Sequence, residues 1–156
     1  MFDAFVGHLV GDFLLQTSWM ALNIKSDGLV HLLKKAMSRY QASNFFVFDM
    51  STPELLNYER QGFPIAVRMS EYEREPVLLD KSTYVWLDSF GERWFDETAL
   101  SRLLEMGKTV AIVSPELHHH DYVNAWKFLK DGGFHNHPRM MLCTDYPMEA
   151  RSFFSE

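Results

Sequence analysis

A chain of 156 residues with 47% hydrophobic and 15% aromatic content is long enough to bury one core and short for two domains. Its net charge of −6 and sequence pI near 5.6 leave no basic surface, which argues against nucleic-acid backbone binding. The single cysteine, Cys143, has no second thiol to pair with, as expected of a chain kept in a reducing, cytoplasmic compartment.

Taken in chain order, residues 1–20 are apolar but carry Asp3, His8 and Asp12, and no basic stretch precedes them as one would in a signal peptide. The uncharged stretches fall short of the roughly 20 apolar residues a spanning helix needs. An apolar helix, packed on the protein or lying at a membrane interface, is therefore expected over 1–20. Helical spacing would put His8, Asp12 and Gln16 on one face, read as its wet side. Six short apolar runs follow, at 20–25, 44–49, 63–69, 84–88, 109–114 and 139–144, each of strand type. Between them, apolar residues at three- and four-residue spacing predict helices within 28–42, 95–106 and 121–130. Ser51, Thr52 and Pro53 read as the cap and first turn of a further helix, ELLNYERQ, ended by Gly62, and Gly107 closes the helix before TVAIVS. The connection EYEREPVLLDKST, with Pro76, has room for a short helix at most, and GGFHNHP reads as a surface loop. Several runs are apolar at nearly every position, as in strands covered on both faces, so the class is α/β with parallel strands.

A polar residue closes or follows each run: Lys25, Asp49, Arg68 with Glu71, Asp88, Glu116 with His118, and Asp145. Parallel strands joined by right-handed crossovers present their carboxyl ends on one face, so these side chains should converge on one rim. Each acid alone reads first as a cap of the following helix. As a set, with two cations among the acids, a ligand site explains them better. Trp86 shares the Asp88 side of its strand, because Val85 and Leu87 point the other way. Of the run His118, His119 and His120, adjacent imidazoles on one turn cannot all face one ion. His118, extended from a strand end beside Glu116, is the candidate for proton transfer, and His119 and His120 read as exposed loop residues. The aromatic run NFFVFD reads as packing.

In order, ALNIKSDGL, NFFVFDMSTPELL, AVRMSEYE, VWLDSF, VSPELH and MLCTDYPMEARSFF resemble successive motifs of the glycerophosphodiester phosphodiesterase and phosphoinositide phospholipase superfamily, from about Ala21 to Phe154. The resemblance implies strands three to eight of a TIM-type (β/α) barrel, hydrolysis of phosphodiesters by paired histidines, and a magnesium or calcium ion held by acids. The His-Arg-Gly motif of the family's first strand and the histidine after its second do not occur here. Asn23 stands where a metal-binding glutamate would, and Lys25 matches the family's lysine. Residues 1–20, with GHLVGDFLLQTSWMALN, resemble instead the opening of an uncharacterised family of bacterial membrane-associated proteins.

The expectation is an incomplete barrel of six parallel strands over 21–156, preceded by an apolar helix over 1–20, from a chain that is a fragment, a truncated gene or a fusion. It would act on or bind phosphodiesters such as glycerophosphodiesters or lipid headgroups, and be inactive alone. Glu116 and His118 would be its proton-transfer pair, and Lys25, Asp49, Arg68, Glu71, Trp86, Asp88 and Asp145 its substrate contacts. The alternative is a non-catalytic phosphate-binding or interaction module, membrane-associated through its N-terminus. An incomplete barrel has open sheet edges, so the N-terminal segment should fold across the gap, or copies of the chain should associate.

Overall fold

The computed structural model describes the backbone of residues 8–10 and all of residues 19–155. Its strands are β1 (His8–Val10), β2 (Trp19–Asn23), β3 (Phe45–Phe48), β4 (Ala66–Met69), β5 (Tyr84–Leu87), β6 (Thr109–Val113) and β7 (Met140–Cys143). Helix α1 (Val30–Tyr40) follows β2, α2 (Thr52–Arg60) follows β3, α3 (Glu97–Glu105) follows β5, α4 (Val123–Asp131) follows β6 and α5 (Pro147–Ser155) follows β7. The β4 to β5 connection carries no helix. This is an α/β chain in which β2 pairs with β3, β4 with β5, β5 with β6 and β6 with β7, all in parallel.

The local signals are physical ones. Gly62 and Gly107 take the left-handed backbone (φ 78° and 80°) just past α2 and α3, where a side chain would be strained. Asp96 caps α3 by accepting from the Ala99 N–H at 2.8 Å. Ser51 stands at the α2 cap position, but its hydroxyl donates to Asp27 Oδ1 at 3.3 Å instead. Pro147, in the first turn of α5, marks a helix that the apolar spacing did not predict.

Two expectations are corrected. The six runs do not form one continuous sheet: they divide into β1-β2-β3 and β4-β5-β6-β7. The two sheets meet at one isolated parallel bridge between Val47 and Ile65, with the Val47 N–H donating to the Pro64 carbonyl at 2.9 Å. Pro64 has no N–H of its own, which limits the ladder here. The N-terminal helix is likewise not found where residues are described. His8–Val10 is a strand, antiparallel to β2, and Trp19 and Met20 already belong to β2. An edge strand with unpaired N–H and C=O groups is a template for such pairing. Residues 1–7 and 11–18, including Asp12 and Gln16, lie outside the described residues. β1 also approaches β7, with Cα atoms within 8 Å. Among the described residues no helix is long and apolar enough to cross a membrane.

Side chains alternate between two cores. Leu22, Val47, Val67, Val85, Leu87, Val110, Ile112, Met140 and Leu142 face the helices and meet Leu33, Tyr58, Leu100, Trp126 and Phe154. The intervening residues Ala21, Phe46, Phe48, Ala66, Tyr84, Trp86, Ala111, Val113, Met141 and Cys143 pack on one another. All six parallel strands thus contribute side chains to a common apolar interior, while their other face packs on the helices. Its aromatic centre is tight: Phe46 stacks on Tyr84 at 4.9 Å and Phe48 on Trp86 at 4.1 Å.

Candidate functional site

The carboxyl end of that interior opens into a cleft of about 230 Å³. Its walls come from strand ends: Asn23 at the end of β2, Phe48 and Asp49 at and beyond the end of β3, Arg68 on β4, Trp86, Asp88 and Phe90 at and beyond β5, and Val113, Leu117 and His118 at and beyond β6. The alternation that puts Phe48, Trp86 and Val113 inward also puts Asn23, Arg68 and Asp88 on the same face.

Two ion-paired groups stand in the cleft. Asp49 Oδ2 lies 2.6 Å from Lys25 Nζ and Asp49 Oδ1 lies 2.9 Å from an Arg68 guanidinium nitrogen. Asp49 holds the left-handed backbone (φ 68°), a region aspartate tolerates better than most residues and one that recurs at functional sites. Two cations against one carboxylate leave this cluster with surplus positive charge. The second group is Asp88 with His118, whose Nε2 lies 2.7 Å from Asp88 Oδ1. The Asp88 side chain is only 8% exposed, and the Ser89 N–H donates to the same oxygen at 2.9 Å. An ionised Asp88 therefore fixes the tautomer in which His118 Nε2 donates and Nδ1 is left to accept a proton.

Of the residues expected at the site, Asp49, Arg68, Trp86, Asp88 and His118 line the cleft, and Lys25 joins them through Asp49. Glu71 serves the rim: its two carboxylate oxygens accept from the Phe90 and Gly91 N–H groups at 3.3 and 3.0 Å. Glu116 is not the carboxylate that meets His118. It accepts from the Ser114 and Thr144 hydroxyls and from the Asp145 N–H at 3.2 Å, so it ties the end of β6 to the end of β7. Asp145 itself is exposed beside it. His119 is exposed with φ 63°, while His120, also exposed, has Nε2 3.1 Å from the Phe90 carbonyl.

Asn23, Phe48, Phe90, Val113 and Leu117 complete the cleft. Asn23 Oδ1 is buried without a partner among the described residues, a polar atom that a ligand donor or water would satisfy. Counting by twos back from Asp49 and Asp88 finds Val47 and Trp86, so strand alternation alone misses Phe48, which sits one residue before a left-handed turn. Below the rim, burial, then Asp145, Glu116 and Asp88, push the Cys143 thiol up to about 12. Among the described residues no group of three or more His, Cys, Asp or Glu side chains is placed to hold a metal ion. No family model, no curated protein and no solved structure matches the chain.

Proposed function

We propose that the protein is a phosphodiesterase-like α/β domain that binds a small phosphodiester, such as a glycerophosphodiester or lipid headgroup, in the cleft at its strand ends. The observation that carries this reading is the Arg68–Asp49–Lys25 cluster facing the Asp88–His118 pair across one cleft. Arg68 offers a planar fork of donors to a phosphate and Lys25 a mobile positive charge. Asn23 Oδ1 accepts from a ligand hydroxyl. On the same reading the fold is an incomplete (β/α) barrel: its parallel strands follow chain order around one interior, and β1 fills the space between β2 and β7.

Hydrolysis needs a base to activate water and an acid for the leaving oxygen, and the cleft supplies one imidazole. Binding with little or no turnover is the expected behaviour. Magnesium or calcium, implied by the resemblance, meets no matching donor set. Asp49 is engaged by two cations, Asp88 by His118 and a backbone N–H, and Glu71 by two backbone N–H groups.

Calorimetric titration with glycerophosphocholine tests the reading. Saturable binding is expected, weakened about tenfold or more by Arg68→Ala because a charge-assisted contact is lost, and weakened less by Lys25→Ala. Absence of binding, or an Arg68→Ala variant that binds unchanged, would refute it. Release of glycerol phosphate that stops on His118→Ala would instead show an enzyme.

A further inference from the structure

Phe90 is a large apolar side chain left 39% exposed at the mouth of the cleft, yet its backbone turn is tied by side chains from two other loops. Its N–H donates to Glu71 Oε2 at 3.3 Å, the next N–H, of Gly91, donates to Glu71 Oε1 at 3.0 Å, and its carbonyl lies 3.1 Å from His120 Nε2. Two side chains from different loops thus fix one turn from both sides. A loop that only connected β5 to α3 would not need its exposed ring held in this way, since exposed loops are ordinarily mobile and polar.

The ring stands between the two charged groups of the cleft. The Arg68 guanidinium lies over it, 6.0 Å from the centroid, and the His118 ring is 4.9 Å away, tilted by 55°. On the outer side Tyr72, 82% exposed, comes within 6.0 Å of it. A ligand whose phosphate met Arg68 and lay toward His118 would carry one ester substituent directly against the Phe90 and Tyr72 rings. Aromatic surfaces prefer offset or edge contacts with other rings, beyond what area burial alone provides.

Resting on the phosphodiester reading above, we infer that Phe90 is the specificity-determining residue of the cleft, a fixed platform that selects phosphodiesters bearing a planar, aromatic ester group. Glu71 and His120 are its positioning residues and do not touch the ligand. The test compares two monoanionic probes that differ only in the ring, methyl phenyl phosphate and dimethyl phosphate, titrated into the intact chain by calorimetry or NMR.

The wild type is expected to favour methyl phenyl phosphate by about two- to tenfold, the range of one aromatic contact. Phe90→Leu, which keeps the apolar bulk, should bring the ratio close to one, and Glu71→Ala should lower it by freeing the turn. A general loss of folding would weaken both probes together and leave the ratio unchanged, whereas this role moves the ratio. Equal affinity of the wild type for both probes, or a ratio that survives Phe90→Leu, would overturn the platform while leaving the phosphate site standing. Binding of neither probe would overturn both.

Discussion

Cys143 ends β7 on the interior face, 2% exposed, where burial and three nearby acids push its thiol up to about 12 from an ordinary value of 9.0. A group whose folded pKa is raised keeps its proton in the folded state while the unfolded chain loses it. Its stabilisation is present below about pH 9 and is lost as pH rises toward about pH 12. Tyr58, fully buried and pushed up to about 12 by burial and Glu54, acts in the same direction. Urea midpoints should therefore fall on moving from neutral pH into this alkaline window, and fall less in Cys143→Ala; a midpoint independent of pH there would contradict the assignment. Thiol reagents should label Cys143 only after unfolding. Asp49, Arg68, Trp86 and Asp88 were legible in the sequence because each ends or precedes the end of an apolar run. The partner of His118 was not, because Glu116 lies two positions away and Asp88 thirty. Chain proximity favoured the nearer acid, whereas the fold turns Glu116 toward Ser114, Thr144 and Asp145 and brings Asp88 over from the neighbouring strand.

At the scale of elements, that Glu116 latch holds β6 to β7 where their carboxyl ends open toward the rim. Ser114, fully buried, gives its hydroxyl to Glu116 and accepts the Trp126 indole N–H at 2.8 Å, so the latch reaches α4 as well. Ser114→Ala would leave that indole N–H unpaired in the core. The expected cost is about 1–3 kcal/mol, the penalty for one unsatisfied buried donor, read as a lower urea midpoint with unchanged slope; a midpoint equal to wild type would show that the network carries no stability. The strands themselves were legible because runs such as TVAIVS and NFFVFD are apolar on both faces. Helices α1 to α4 were legible from their three- and four-residue apolar spacing or from their end signals, proline early and glycine just after. β1 was not, since a three-residue strand has no period to read, and its pairing depends on the edge of β2 being there to meet it.

For the whole molecule, the important observation is that six parallel strands share one apolar interior while β1 pairs with β2 and approaches β7. Taking away residues 1–18 would remove β1 and uncover the outer edge of β2. The truncated chain should then self-associate, so that light scattering shows a mass above that of one chain; a truncated form with the same mass as the intact chain would mean that β1 does not protect the edge. The order of strands could be anticipated from alternating apolar runs, but the division into two sheets could not. Pro64 contributes to it, since its missing N–H matters only once β3 and β4 lie side by side. The same topology brings residues as distant as Asn23 and His118 to one cleft, and a residue-resolved NMR titration of the labelled chain with dimethyl phosphate tests that claim most directly. Amide shifts confined to Asn23, Asp49, Arg68, Asp88, Phe90 and His118 and their neighbours are the predicted result. No shifts, or shifts centred on the groove around Phe45 and Phe63 at the other end of the strands, would contradict it.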